Sequence, residues 1–207
     1  MATHYEVHPV NPQARSLGQV VDVLRSGGLV AYPTDSGFAL GCLMGNREGL
    51  ERIRAIRGLD RHHHFTLVCS EFGQLGQYVE MDNDVFRSIK AHTPGPYTFI
   101  LRATREAPKA MLHEKKRTVG VRIPEHVTAK ALLDALGEPL MSSSLILPGH
   151  ADALTDGDEV ARRLAHVVDA VLDSGDAGRG ATTVVDFSEG DVVVLRHGAG
   201  DPAPFEA

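Results

Sequence analysis

Segments with the apolar spacing of a helix alternate along the chain with short apolar runs typical of buried strands. In residues 14–25, Leu and Val recur every three or four positions, and two glycines at 27–28 end the predicted helix. The next run, 29–33, is apolar and closes with a proline, which is typical of the end of a strand. This interleaving predicts an α/β fold built around one twisted sheet.

The same alternation continues through the rest of the chain. Further helices are predicted over 46–57, 82–92 (capped by Asp82 or Asn83), 127–137 and the first part of 158–173. Further strands are predicted over 65–69, 97–103, 118–124, 139–146, the second part of 158–173, 182–187 and 191–196. Because no repeat, low-complexity run or linker interrupts this series, residues 1–207 are expected to form a single domain.

The sequence lacks the marks of a membrane or secreted protein. Residues 1–18 contain no apolar signal region, and no window approaches the run of apolar residues that spans a bilayer. Cys42 and Cys69 stand alone, without a CxxC pair, and are predicted to be reduced, buried thiols. We therefore expect a cytoplasmic protein that does not bind membranes.

Charge is distributed unevenly along a chain whose formal net charge is −6. Residues 1–130 carry 17 Lys and Arg against 13 Asp and Glu, whereas residues 131–207 carry 4 against 14. The basic side chains within 102–122 are Arg102, Arg105, Lys109, Lys115, Lys116, Arg117 and Arg122. The overall acidity argues against indiscriminate coating of nucleic acid. The basic first part fits an anionic ligand bound at one face, and a solvated, salt-bridged surface is the alternative.

Polar residues follow several predicted strands, where α/β folds bind their ligands. The sequence TDS at 34–36 is suited to holding a small polar substrate or to capping a helix, and the bare pattern favours the cap. The turn TPGP at 93–96 is interpreted as structural. The consecutive hydroxyls and backbone amides of SSS at 142–144 are suited to receiving a phosphate, although serines are also common in ordinary loops.

The order of several segments is more specific than any one of them. The segments are GGLVAYPTDSGFALG (27–41), TPGPYTFIL (93–101), VGVRIP (119–124), PLMSSS (139–144), TTVVD (182–186) and VLRHGAG (194–200). Together they resemble the YrdC/YciO family over residues 14–200, with the greatest similarity to the YciO branch. The resemblance implies a single α/β domain with a twisted, mixed, open sheet, flanking helices and a large basic concave cavity.

The resemblance also implies a reaction. Well-understood members of the family make L-threonylcarbamoyl-AMP from threonine, bicarbonate and ATP, for the threonylcarbamoyladenosine (t6A) modification of tRNA. Some members have been linked to double-stranded RNA. The implied substrate is ATP, with Mg²⁺ carried by its phosphates and no metal ligand from the protein. The alternative class is a protein that binds tRNA or double-stranded RNA without turnover.

Individual residues match positions of the family's cavity. Thr34 matches a position near the substrate amino acid and the nucleotide. Arg122 and Arg196 match arginines that face the nucleotide. Thr182 stands where the family usually has serine, and Ser144 matches the serine of the family's Ser-x-Asn motif.

The chain departs from the synthases at two motifs. Where they carry Lys-x-Arg, this chain has RGL at 57–59, and where they carry Ser-x-Asn, it has SLI at 144–146. Loss of one guanidinium that faces a triphosphate removes a charge-assisted contact worth roughly 1.5–3 kcal/mol. Arg57, Ser144 and Thr34 are predicted as the catalytic residues, but efficient synthesis of threonylcarbamoyl-AMP is not expected.

Three consecutive histidines, at 62–64, lie in the loop where the synthases hold their Lys-x-Arg. A metal site formed by the first and third of them with Asp60 is disfavoured, because neighbours in an extended loop point in alternating directions. One interpretation is a solvated polar loop. The other is that Arg57, Arg61 and one histidine, above all His63, bind the ligand's phosphates in place of the missing arginine. A histidine near its pKa would then strengthen binding at lower pH.

Overall fold

A computed structural model of the protein describes residues 1–60, 63–113, 115–175 and 177–206. Within these residues the chain forms one ten-stranded sheet flanked by six α-helices, which confirms the α/β prediction. No helix in this part of the chain is long and apolar enough to cross a membrane.

Strands and helices interleave from one end of the chain to the other. The strands are β1 (Thr3–Glu6), β2 (Val30–Thr34), β3 (Gly37–Leu43), β4 (Thr66–Val68), β5 (Tyr97–Arg102), β6 (Thr118–Arg122), β7 (Leu140–Ser144), β8 (Ala170–Asp173), β9 (Thr183–Asp186) and β10 (Val193–Arg196). The α-helices are α1 (Ala14–Arg25), α2 (Arg47–Arg57), α3 (Phe72–Tyr78), α4 (Asn83–Ala91), α5 (Val127–Leu136) and α6 (Gly157–Leu164). Two short 3-10 helices lie at Lys109–Met111 and Ala203–Phe205.

The ten strands are ordered β1-β8-β2-β3-β7-β4-β6-β5-β9-β10. The pairs β1–β8, β2–β8, β4–β6 and β5–β9 are parallel, and the others are antiparallel. The sheet is therefore mixed, as the family resemblance implies. Strand β7 lies between β3 and β4 and pairs antiparallel with both, so it joins the two halves of the sheet.

Each strand sends alternate side chains to the two faces of the sheet, and an apolar core covers both faces. On one face, Val30 and Tyr32 belong to a cluster that includes the buried sides of α1 and α5. On the opposite face, Ala31 belongs to a larger cluster that includes residues of α2, α3 and α4. The residues 29–33 are therefore continuously apolar because the strand is buried on both faces of the sheet.

Helix ends follow the capping rules that the sequence indicates. The Asp82 carboxylate accepts hydrogen bonds from the backbone N–H groups of Asp84 and Val85 at 3.0 and 2.9 Å, so Asp82 rather than Asn83 caps α4. After α1, Gly27 has a φ of 87°, a backbone conformation that glycine adopts without strain.

Besides the two 3-10 helices, two strands and one α-helix were not predicted from the sequence: β1, β3 and α3. Strand β3 contains two glycines, which weaken any strand signal. At one of them, Gly41, an added Cβ would lie 2.9 Å from the ring of Tyr32 on the neighbouring strand, so the close packing of β2 on β3 requires a glycine. Helix α3 has only seven residues, two of them glycine, and is too short for periodicity to reveal.

The stretch 34–36 forms a hairpin turn between β2 and β3, so the prediction that it favours a helix cap is wrong. Thr34 and Gly37 pair across the turn. The Thr34 hydroxyl donates to the carbonyl oxygen of Gly37 at 2.6 Å and accepts from the N–H of Ser36 at 3.1 Å. A hydroxyl that would cap a helix satisfies the polar groups of a turn here instead.

Cys42 and Cys69 are both buried and unpaired, as predicted. Burial raises the pKa of each thiol to about 12, so both remain protonated at neutral pH. They act as small apolar side chains of the core.

The substitution Gly178→Ala tests a close approach between a loop and the hairpin turn. The N–H of Gly178 donates to the carbonyl oxygen of Thr34 at 2.8 Å, and an added Cβ would lie 2.0 Å from the carbonyl oxygen of Asp35. We expect a loss of about 1–3 kcal/mol in the free energy of unfolding, measured by urea denaturation. The control is Gly18→Ala, since a Cβ at Gly18 in α1 meets nothing within 4 Å and should stabilise by about 0.5–1 kcal/mol. Equal effects of the two changes would contradict the proximity of Gly178 to the turn.

Candidate functional site

A concave cavity opens on one face of the sheet and consists of two adjoining chambers. The first, called the sheet chamber, has a volume of about 250 Å³ and is lined by strands β2 to β7, β9 and β10 together with the end of α2. The second, called the loop chamber, has a volume of about 440 Å³ and is lined mainly by the loops 151–155 and 178–181. Ser144, Ile146 and Arg196 border both chambers, so the two are parts of one cavity.

The floor of the sheet chamber is a stretch of bare strand surface. Thr66, Gly120 and Ile100 are register partners on the adjacent strands β4, β6 and β5. An added Cβ at Gly120 would lie 3.3 Å from the Thr66 hydroxyl and would fill part of this space. The absence of a side chain at Gly120 therefore leaves this space open to the cavity.

All eight residues that the sequence predicted for the site line the sheet chamber. They are Thr34, Arg57, His63, Arg122, Ser142, Ser144, Thr182 and Arg196. They come from four strands, one helix and two connecting segments that are distant in the sequence. The structure thus places them around one space, and their roles toward a ligand are taken up below as proposals.

Arg122, at the end of β6, is buried beside the hairpin turn. Its Nη2 donates to the carboxylate of Asp35, and the two side chains are only 7% and 14% exposed. Burial lowers the pKa of the guanidinium, whereas the Asp35 carboxylate acts in the opposite direction. Arg122 Nε and Asp35 Oδ2 are buried without a hydrogen-bond partner, so the pair is not saturated by protein groups.

Arg196, on the edge strand β10, is held by neutral oxygens. Its Nε donates to the carbonyl oxygen of Thr182 and its Nη2 to the Thr182 hydroxyl, both at 2.9 Å. That hydroxyl also lies 2.9 Å from the hydroxyl of Thr98 on β5. Because none of these contacts involves a carboxylate, they orient the guanidinium without neutralising its charge.

Arg57, the last residue of α2, is held in a similar way. Its Nε donates to the carbonyl oxygen of Ile146 at 3.3 Å, and its Nη1 donates to the hydroxyl of Ser143. The same Nη1 lies 3.3 Å from Nε2 of His63, which in turn lies 3.1 Å from the Ser143 hydroxyl. Burial lowers the pKa of Arg57.

His63 is uncharged at neutral pH in the unliganded protein. Burial, followed by the charge of Arg57, lowers the pKa of His63 to about 4. This shift disfavours a charged ring, whereas the prediction that His63 offers a hydrogen-bonding group to the ligand's phosphates stays a prediction. The accompanying hypothesis about Arg61, and the disfavoured metal site with His62, fall on residues outside those that the structure describes.

Besides Thr182, two of the predicted hydroxyls are engaged within the fold. The Ser142 hydroxyl donates to the carbonyl oxygen of Leu40 at 2.9 Å, which leaves it to accept from the Tyr32 hydroxyl at 2.8 Å. Burial raises the pKa of Tyr32 to about 12, so this phenol remains a donor. The Thr34 hydroxyl donates within the hairpin turn. Ser144, in contrast, is half-buried between the two chambers.

Sequence reasoning missed several residues of the site. Ser143 belongs to the run of serines considered for a phosphate but was given no role of its own, although its hydroxyl is the one that contacts Arg57. His64 lines the sheet chamber and stacks on His113 at 5.1 Å, a contact across 49 positions that no local pattern indicates. The partnership of Asp35 with Arg122 was likewise invisible, because it depends on the packing of the hairpin turn on β6.

Among the described residues, one group has the composition and proximity of metal ligands. His4, Asp158 and Asp173 offer ligand atoms within 4.8 Å of one another. None of the three lines either chamber, and His4 already contacts the Asp173 carboxylate at 2.9 Å. The sheet chamber presents arginine, histidine and hydroxyl groups, which suit an anion rather than a bare cation.

A model of the Sua5/YciO/YrdC family, described as telomere recombination, matches residues 22–198. The chain belongs to this family. YciO of Escherichia coli (strain K12) is 45% identical over 205 residues, which cover 99% of this chain and 100% of that protein. A second family member, the threonylcarbamoyl-AMP synthase of Vibrio vulnificus (strain YJ016), is 31% identical over 160 residues, covering 76% of this chain and 85% of the synthase.

Solved structures of Sua5/YciO/YrdC proteins share the fold. The crystal structure of E. coli YciO matches with a TM-score of 0.95 and covers 99% of this chain and 100% of YciO. The structure of P. abyssi Sua5 complexed with L-threonine matches with a TM-score of 0.87 at 23% identity, covering 100% of this chain and 60% of Sua5. The predicted family and its mixed α/β domain are both confirmed.

The substitution Asp35→Asn tests the buried ion pair. Removing one partner leaves the buried charge of Arg122 without its carboxylate, and we expect the free energy of unfolding to fall by about 3–5 kcal/mol. The control is Asp134→Asn, which removes the exposed Lys130–Asp134 pair and should cost no more than about 0.5 kcal/mol. The free energy of unfolding of both variants is measured by urea denaturation. Decreases of similar size would show that the Arg122–Asp35 pair is solvated.

Proposed function

We propose that the cavity binds an ATP- or AMP-like nucleotide through its phosphates, and that the protein is a YciO-type relative of L-threonylcarbamoyladenylate synthase linked to the t6A modification of tRNA. One observation carries the proposal. The described residues that line the sheet chamber include three arginines, at 57, 122 and 196, and no carboxylate. A polyphosphate is the common metabolite group that matches several fixed guanidinium groups in one small space.

The three arginines differ in how much positive charge they offer. Arg57 and Arg196 are held by carbonyl and hydroxyl oxygens, so their full charge is available to a ligand. The charge of Arg122 is partly neutralised by its ion pair with Asp35, and its Nε has no hydrogen-bond partner. Mg²⁺ would enter on the phosphates, since none of the residues lining the sheet chamber is a carboxylate.

The loop chamber supports the proposal of a second substrate. Asp152 and Arg179 on its two loops offer opposite charges, and Thr155 adds a hydroxyl. An amino acid such as threonine carries both an ammonium and a carboxylate group, which suits this set. Ser144, at the junction of the chambers, would contact both substrates, while Thr34 maintains the hairpin turn beside them.

In the proposed reaction, an oxygen of carbamoylated threonine attacks the α-phosphorus of ATP and pyrophosphate leaves. The protein's contribution is to position both substrates and to stabilise the developing negative charge. Leu59 and Ile146 stand where the synthases have a guanidinium and an amide, so less of that stabilisation is available. Slow turnover of the family reaction is the expected consequence.

Isothermal titration with ATP and Mg²⁺ tests the binding step. We expect Arg196→Ala to weaken ATP binding by roughly ten- to a hundredfold, because a charge-assisted contact is lost. The control is Arg163→Ala, which removes an exposed arginine paired with Glu159 on α6 and should leave affinity unchanged. The same samples are assayed for pyrophosphate release with threonine and bicarbonate. Absence of ATP binding by the unsubstituted protein would overturn the proposal.

A second candidate function is the binding of tRNA or double-stranded RNA. The observation that favours it is an exposed basic segment beside the cavity, within residues 105–117. Its exposed basic residues are Arg105, Lys109, Lys115, Lys116 and Arg117. The segment reaches the cavity at His113, which stacks on His64. Of the basic residues, Lys116 is paired with Glu189, which reduces the charge available to a phosphate backbone.

Salt dependence distinguishes the two candidates. If several of these side chains contact the phosphates of an RNA duplex, the affinity of the protein for the duplex should fall steeply between 50 and 200 mM salt. The slope of that fall should be roughly proportional to the number of phosphates contacted. Changing Lys109 and Lys115 together to Ala should reduce that slope while leaving ATP binding intact. The measurement is fluorescence anisotropy with a labelled RNA duplex. RNA retention that is insensitive both to salt and to this double substitution would contradict a role for the basic segment.

A further inference from the structure

We infer that His63 and Ser143 are positioning residues that hold the guanidinium of Arg57 in the orientation required to bind a phosphate, an inference that rests on the proposed nucleotide function. Neither residue needs to contact the ligand for this role. Both act on Arg57, which lines the sheet chamber alongside them.

The three side chains form a closed set of hydrogen bonds. An arginine only donates, so the Ser143 hydroxyl oxygen accepts from Arg57 Nη1, and His63 Nε2 can take a hydrogen bond from Nη1 only as an acceptor. The single lone pair of Nε2 is then shared between Arg57 Nη1 and the Ser143 hydroxyl, which lies 3.1 Å away. This arrangement requires an unprotonated Nε2 and therefore places the single ring proton of His63 on Nδ1.

A third contact fixes the other edge of the guanidinium. Arg57 Nε donates to the carbonyl oxygen of Ile146, so the group is held at two of its three nitrogens. These contacts use Nε and Nη1, and Nη2 is not engaged by them. A guanidinium held in this way loses little conformational freedom when a phosphate binds, which favours affinity.

The charges around His63 keep its ring an acceptor. Arg57 and Arg54 of α2 and the neighbouring His64 all disfavour a proton on the ring, and Asp60 alone favours one. Together with burial, they lower the pKa of His63 to about 4. A protonated ring would present an N–H and a positive charge to Arg57 and would break the set, so the orientation of Arg57 is maintained above about pH 5.

The arrangement also accounts for the altered motif of this chain. The synthases present two cationic side chains in this loop, whereas Leu59 leaves Arg57 as the remaining cation of the motif here. Fixing one guanidinium by Ser143 and His63 partly offsets the loss of the second. Ser143 comes from β7 and His63 from the loop after α2, so the set forms only when β7 is in place beside β4.

The first test is nitrogen NMR of the unliganded protein. We expect the ring of His63 to be the Nδ1–H tautomer, with an unprotonated Nε2 throughout pH 5 to 7. A protonated Nε2 in this range would overturn the positioning role. This result does not depend on ATP, so it separates failure of the positioning role from failure of the proposed nucleotide binding, which would appear as no heat of ATP binding at all.

The second test is ATP binding by variants, with thermal unfolding as a check on folding. His63→Leu and Ser143→Ala should each weaken ATP binding by about two- to tenfold, the range expected for one hydrogen bond. His63→Gln offers a side-chain oxygen that can accept from Arg57, and we expect it to restore most of the affinity. The control is His166→Leu, the same change at an exposed histidine outside the cavity. Affinity unchanged in His63→Leu and Ser143→Ala would overturn the inference.

The dependence of ATP affinity on pH provides the third test. As the pH falls from 7 to 5, the affinity of the unsubstituted protein should not rise relative to that of His63→Gln. A relative gain would mean that a protonated His63 binds the phosphates directly, and the positioning role would be wrong. Comparing the two proteins at each pH cancels the titration of ATP itself.

Discussion

The antiparallel insertion of β7 between β3 and β4 is the pairing on which the rest of the structure depends. It joins β1, β8, β2 and β3 on one side to β4, β6, β5, β9 and β10 on the other. Without it, the sheet would consist of two halves, each with an exposed edge. The same strand carries the serines 142–144 to the wall of the cavity, so the pairing that completes the core also completes the site.

The electrostatic character of the cavity follows from how its arginines are held. Hydroxyl and carbonyl oxygens hold Arg57 and Arg196, and the carboxylate of Asp35 accepts from Arg122. Neutral acceptors fix a guanidinium without cancelling its charge. The acidity of the chain as a whole therefore coexists with a cationic sheet chamber, because the net negative charge lies in residues 131–207 and none of the described residues lining that chamber is acidic.

Family membership and local chemistry lead to complementary conclusions. The fold agrees with the crystal structure of E. coli YciO, and the chain is 31% identical over 160 residues to a threonylcarbamoyl-AMP synthase. At 59 and 146 this chain has Leu and Ile, where the family resemblance implies a guanidinium and an amide in the synthases. The set formed by Arg57, His63 and Ser143 lies in the same region and holds one cation, Arg57, by hydrogen bonds. This combination supports the proposal of a nucleotide pocket with slow turnover of the family reaction.

The sequence by itself determined the α/β class, most of the strands and helices, the reduced cysteines and eight residues that line one cavity. Periodicity and capping are local, and the family motifs are ordered along the chain, so all of these can be read from neighbouring residues. Only the tertiary structure decided that 34–36 is a turn, that Asp35 pairs with Arg122, that Ser143 contacts Arg57, and that His63 is uncharged. The reason is that these features depend on burial and on contacts between distant strands, which set solvation and charge in ways that no local pattern records.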